Sequence, residues 1–239
     1  MGSFRSYLTD WGMLGMHKRR AFERAVGGAR DRLDLGQGRL RFSGGPSFYV
    51  QLLGTHAHAT WLWGWANEAP LPAHVLRVAG TLRSWGERQG VAEMTSATVF
   101  DEAADPEALA LVSCALTPCA GLYRCEADGG TIWLLAYGEL DEQPLSAEDC
   151  LDTIHAFASR HAVDERRAVT SFFHALGVDV EEEEDAVRGV LPSGELAEVA
   201  FERGRIVGLR ARQRTPSRVV ARSGSVVVPV RPKIRRNAG

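Results

Sequence analysis

Two histidines, His56 and His58, stand two residues apart just before the segment Thr60-Trp61-Leu62-Trp63-Gly64-Trp65-Ala66-Asn67. Side chains alternate along an extended chain, so both imidazoles would project to one side, as a metal site requires. Such a site also needs a third and a fourth ligand. The sequence marks none, and the nearby Glu68 and Glu93 read as ordinary surface carboxylates, so no metal and no cofactor is assigned. By the same alternation Trp61, Trp63 and Trp65 share one face of a strand. Three indoles in line are either a core wall or a platform on which sugars or bases stack. Core burial is preferred, because an apolar helical stripe follows at 71–85 to meet them. His56, His58, Trp61, Trp63, Trp65 and Asn67 are the candidate ligand-binding residues, and a hydrolase-like enzyme would have its site there.

A second feature is electrostatic. From Arg203 to the end there are eleven basic residues and no Asp or Glu, against seventeen basic and thirty acidic residues before it. Within this stretch Arg210, Arg212, Arg214, Arg218, Arg231, Lys233, Arg235 and Arg236 are the candidate contacts for a polyanion, since phosphates neutralised by such side chains release counterions. The stretch lacks an aromatic residue for base stacking, and the acidic body would repel a duplex. Nucleic acid is therefore the less favoured partner, and another protein the more favoured one.

The remaining reactive residues form no recognised motif. Cys114, Cys119 and Cys125 are separated by four and five residues, not by the two-residue knuckles of common zinc sites, and read as free thiols on a helix, a loop and a strand. With Cys150 they make four cysteines in a chain of 239 residues, too few and too spread for a disulfide framework. His155, His161 and His174 match no ligand spacing. Asp101, Glu102, Asp105 and Glu107 are the densest acids near a strand end, and helix capping accounts for two of them. The run Glu181 to Asp185 reads as a solvated face. No phosphate loop, nucleophile elbow or dinucleotide fingerprint is present.

The elements that must position these residues follow from periodicity and punctuation. A helix is expected after Asp10, with Trp11, Leu14, Ala21, Phe22 and Ala25 on its apolar side and an end at Gly27-Gly28. Leu33 to Leu35 and Leu40 to Phe42 suggest a hairpin. Strands are expected over 48–54 and 60–67, an amphipathic helix over 71–85 closed by Gly90, and a strand over 93–100. Asp105-Pro106-Glu107 opens another helix. Residues 122–127 and 131–137 pair as a hairpin across Asp128-Gly129-Gly130. After a linker at 139–145 come two helices, capped by Ser146 and Asp164, and a three-stranded meander at 186–191, 196–202 and 205–212. The fold class is α+β: a mostly antiparallel sheet covered by helices over 1–138, then a smaller helix-pair and meander unit over 146–212, with a basic tail over 213–239.

The strand ending in Gly54, the Trp segment at 60–67, and Tyr123-Arg124 beside the Gly129-Gly130 turn carry a family likeness. Over residues 10–138 the chain resembles an uncharacterised bacterial domain family of unknown function. That resemblance implies no activity, cofactor or site residue. Composition is that of a globular protein, 45% hydrophobic and 24% charged, with no run long enough to span a membrane and no export signal at the start. A cytoplasmic, non-catalytic binding or protein-interaction protein is the functional expectation.

Overall fold

The computed structural model describes residues 3–127, 129–140 and 144–213. The first helix, α1 (Phe4–Val26), starts where the Ser3 side chain accepts from the Ser6 amide, and stops at Gly27 with φ at 57°. It therefore begins six residues ahead of the expected Asp10 cap. Asp10 instead points sideways and receives both nitrogens of Arg167, at 2.7 and 2.6 Å. The face it buries is also different: Leu8, Gly12, Met13, Gly15, Met16 and Phe22, while Trp11, Leu14 and Ala21 are only half-buried and Ala25 is exposed.

Strands β1 (Asp31–Asp34) and β2 (Arg39–Phe42) form the expected hairpin, and β2 pairs with the start of the long β3 (Ser47–Ala57). A two-residue turn joins β3 to β4 (Thr60–Trp63). Then come α2 (Ala73–Gln89), a single turn α3 (Ala92–Thr95), β5 (Thr98–Phe100), α4 (Pro106–Ala115), β6 (Gly121–Ala127) and β7 (Gly130–Tyr137). Every pairing in this sheet is antiparallel. One edge of β3 is shared by β2 and β4, and the other edge binds β7, so β3 is its axis. The stretch expected as a strand over 93–100 splits, because Met94 is buried beneath α2 and only residues 98–100 reach β4.

The sheet is buried on both faces. Phe48, Val50, Leu52, Leu134 and Ala136 pack with Phe22 of α1 and Val75 of α2. On the other face Leu53, Trp61, Trp63, Trp133 and Leu135 join α4. A bulge between Leu52 and Gly54 lets consecutive residues of β3 serve both sides. The last helices, α5 (Ala147–Ala158) and α6 (Glu165–Ala175), lead into a second antiparallel sheet in the order β11-β10-β9-β8. Its strands are β8 (Asp179–Glu182), β9 (Ala186–Val190), β10 (Glu195–Glu202) and β11 (Arg205–Gln213). The expected meander thus has a fourth strand, built from residues of the acidic run because Glu181 and Glu182 lie opposite Arg188 and Val187. The protein is α+β, as its hairpins and intervening helices imply.

What joins the two sheets is α1. Its Gly15 lets the Leu111 backbone of α4 approach, and its Gly12 seats the Phe157 ring of α5. A Cβ at either position would overlap those atoms, so the two glycines fix how tightly three helices meet. Phe172, Phe173, Val187, Val199 and Phe201 consequently belong to the same continuous core as Trp61 and Trp63. Arg20–Asp152, Arg24–Asp149 and Arg167–Asp10 ion pairs line the seam. Among the described residues no helix is long and apolar enough to cross a membrane.

Candidate functional site

The residues singled out by type and spacing do not converge. The β3–β4 connection is a tight turn in which His58 and Ala59 both take positive φ, 51° and 56°, the pattern of a type I′ hairpin. His58 therefore sits at the exposed tip and does not share a side with His56, which lies next to the end of β3 and bonds through Nε2 to the Asp101 carboxylate at 3.0 Å. The strand carrying the indoles also stops early. Trp61 and Trp63 are fully buried, but Gly64–Ala66 is a 3₁₀ turn that turns Trp65 away from them. Gly64, which opens this turn, lies against the Leu52 carbonyl, where a side chain would overlap. Trp63 donates its indole N–H to the Glu93 carbonyl at 2.9 Å, and Trp61 stacks edge-on against Trp63 with ring centroids 5.4 Å apart. Trp65 is half-buried beneath the Arg83 guanidinium, 4.4 Å from its centroid, and Asn67 accepts from the Ala69 amide at 2.8 Å, holding the turn. Trp61 and Trp63 are a core wall, and Trp65 packs at its edge.

The basic candidates divide. Arg214, Arg218, Arg231, Lys233, Arg235 and Arg236 lie outside the described residues. Arg210 is exposed on β11. Arg212 is engaged within its own sheet, on buried Glu198 at 3.1 Å, where Arg188 also binds at 2.8 Å. The two guanidiniums, with Arg188 first, hold the Glu198 carboxyl below the usual carboxylate range despite its burial. Arg205, from the same basic stretch, pairs with Glu165 at 2.8 Å. Among the described residues no group of three or more His, Cys, Asp and Glu side chains has the arrangement of a metal site.

A spacious concavity lies elsewhere, in a cleft of about 1090 Å³ at the seam of the two sheets. The second half of α1 forms one wall with His17, Ala21, Arg24 and Ala25. Leu140, Pro144 and Leu145 form the other, and Pro46 and Leu176 close the ends. The helix contributes because Ala21 and Ala25, one turn apart, leave open space along its flank. Most of the lining is aliphatic; its polar groups are His17, Arg24, Asp149 and the exposed Glu139, of which the first three are engaged within the protein. Arg24 pairs with Asp149 at 3.1 Å, and His17 Nδ1 lies 3.5 Å from the Thr153 hydroxyl. Burial lowers the His17 pKa, Arg24 and Arg20 push the same way, and Asp149 opposes them, so the imidazole stays neutral near pH 7. Neutral imidazole and a closed ion pair suit an uncharged apolar guest better than a free ion. A second hollow of about 440 Å³ is floored by Phe22, Phe42 and Tyr123 at the end of α1.

Neither hollow was legible in the residue types. The only trace of the larger one in the sequence is the small-residue spacing Ala21/Ala25 beside a basic run, His17-Lys18-Arg19-Arg20. Its far wall comes from Leu140, Pro144 and Leu145, more than a hundred residues away, which no local pattern announces.

Fold and cleft together define an α+β protein in which one helix is shared by two antiparallel sheets. A family model, described as a family of unknown function (DUF6882), matches residues 6–138, over half of the chain, and the chain belongs to that family. The match takes in α1 and the first sheet, and with them the α1 wall of the cleft but not the wall of Leu140, Pro144 and Leu145. No curated protein and no solved structure matches the chain.

Proposed function

We propose that the protein is a non-catalytic binding protein that seats an apolar segment of another protein in the cleft between α1 and the side chains of Leu140, Pro144 and Leu145. The observation that carries this reading is the lining: aliphatic side chains at the walls and ends, with Arg24 already neutralised by Asp149 and a single further carboxylate, the exposed Glu139. Binding clefts have this character, largely apolar with a few placed polar groups, and a volume near 1000 Å³ accepts several side chains. A hydrolase at His56 is less well supported, because Asp101 holds one imidazole nitrogen and His58 is displaced to the turn. Polyanion binding is also less well supported, because Arg205 and Arg212 are engaged by Glu165 and Glu198. The setting proposed is the bacterial cytoplasm, with which four free cysteines are consistent.

The test is to pan a random 12-residue peptide library against the purified chain and measure the selected peptides by calorimetry. The expectation is enrichment of aliphatic and aromatic residues. Filling the cleft by Ala21→Trp is expected to weaken the selected peptides at least about tenfold, roughly 1.4 kcal/mol, while leaving the melting temperature within a few degrees. Peptides that bind the filled and the open protein equally would overturn the reading.

A further inference from the structure

Two thiols outside the cleft are held together by the turn between α4 and β6. Cys114 lies buried in the last turn of α4, Cys119 stands two residues before β6, and their Sγ atoms lie 3.5 Å apart, in van der Waals contact. The four residues between them are pinned. The Thr117 hydroxyl reaches the Ser113 carbonyl at 2.9 Å and Cys119 Sγ at 3.4 Å. Lys18 of α1 donates to the carbonyls of Thr117 and Cys114, at 2.8 and 3.3 Å, which brings an ammonium over the same turn. A disulfide requires the sulfurs to close by roughly 1.5 Å, to about 2.05 Å. Cys119 keeps 6% of its surface exposed and Cys114 none, so a reagent entering here must be small.

From this geometry we propose that Cys114 and Cys119 are a redox modification site, a dithiol that closes to an intrachain disulfide on reaction with a small peroxide. The two thiols have different parts. The hydrogen bond between the two thiols, with the Thr117 hydroxyl and Lys18, pulls the Cys119 pKa down against the effect of burial. That same bond and burial push Cys114 up. The thiolate is the nucleophile, so Cys119 reacts first. Its sulfur attacks one peroxide oxygen, the O–O bond breaks, and sulfenic acid and hydroxide form. The Cys114 sulfur then attacks the Cys119 sulfur, the S–O bond breaks, and the hydroxyl leaves as water with the Cys114 proton. Two thiols are oxidised, one hydrogen peroxide is reduced, and two waters result. Cys125 and Cys150 are the internal controls. Burial raises both, Cys150 to about 12, and neither has a thiol partner.

The experiment treats the reduced full-length chain with one equivalent of hydrogen peroxide, quenches with iodoacetamide, and maps the tryptic peptides by mass spectrometry. Cys114 and Cys119 fall on one such peptide, residues 89–124. It is expected to lose two hydrogens and both alkyl tags while Cys125 and Cys150 remain fully alkylated. In Cys114→Ser the reaction is expected to stop at a sulfenic acid on Cys119 that dimedone captures; in Cys119→Ser no adduct should form on Cys114. A trivalent arsenical, which needs two thiols within reach, is expected to bind the untreated chain and neither serine variant. The proposal is overturned if peptide 89–124 keeps both tags, if Cys125 is oxidised first, or if either variant retains the arsenical.

Discussion

The helix crossing that unites the two sheets makes a prediction whose sign can be worked out in advance. Replacing Gly15 by Ala puts a methyl group 2.6 Å from the Leu111 carbonyl carbon and closer still to its oxygen. Carbon atoms in contact normally sit about 3.5–4.0 Å apart, so α1 and α4 would have to separate by roughly 1 Å. The obstacle is backbone of a helix whose every residue from Ala108 to Ala115 is buried, so it cannot swing aside as a side chain would. Overpacking of this kind costs about 1–3 kcal/mol, and a rigid obstacle belongs at the upper end. Against it stands the helix preference of Ala over Gly, about 1 kcal/mol. The net is a loss of about 2 kcal/mol, or roughly 4–8 °C for a chain of this size. Gly80 of α2 is the control. It is also helical, but a Cβ there meets nothing within 4 Å, so Gly80→Ala keeps only the favourable part and gains about 0.5–1 kcal/mol. Urea and thermal unfolding of the two variants against the parent decide the matter. If Gly15→Ala stabilises the protein as Gly80→Ala does, α1 and α4 are not packed through Gly15, and the shared-helix architecture is wrong.

Other consequences are as direct. Trp63→Ala removes a fully buried indole and its bond to Glu93, and is expected to cost about 3–5 kcal/mol in chemical denaturation. Ala59→Gly relieves a non-glycine residue held at a φ of 56° in the hairpin turn and should stabilise by about 1 kcal/mol, read as a shift in urea midpoint with unchanged slope. Acid should weaken the fold through its half-buried and buried histidines. Burial first of all lowers the pKa of both His17 and His161 in the folded protein, with carboxylates opposing: Asp149 at His17, Asp105 and Glu107 at His161. The unfolded chain therefore binds their protons at higher pH than the native one does. Stability is whole at neutral pH and falls as pH drops below about 6.5 toward the lowered folded values. His161→Gln should flatten part of that slope in unfolding curves recorded between pH 7 and pH 5.

The class of the fold was legible because its signals are local and redundant. Asp105-Pro106-Glu107 caps α4 as expected, with the Asp105 carboxylate accepting from the Glu107 amide at 2.7 Å. The expected hairpin of β6 and β7 forms, with Gly130 already in β7 opposite Ala127 and Gly129 in the turn at a φ of 86°. Ser146 and Asp164 cap α5 and α6. Failures cluster where tertiary contacts override local pattern. His58-Ala59 is a two-residue turn without the Asn-Gly or Asp-Gly that usually announces one, so the histidine pair looked extended. The Trp segment alternates through residue 65, but the strand ends at Trp63, and Gly64 lies close against Leu52. In α1 the apolar stripe by residue type was misleading, since two glycines and two methionines mark the face that three elements press on. The cleft and the Cys114–Cys119 contact share this difficulty. Each is made by segments whose meeting depends on how α1 is packed, and sequence spacing alone carries no record of it.

The most direct test of the binding reading is chemical-shift mapping of the full chain with the best library-selected peptide. The account predicts that perturbed amides concentrate on residues 17–25 of α1, on 144–149, and around Leu176, with the β3–β4 turn and β11 unaffected. Perturbations centred on His56 and Asp101, or on the outer face of the second sheet, with the α1 flank silent, would contradict it.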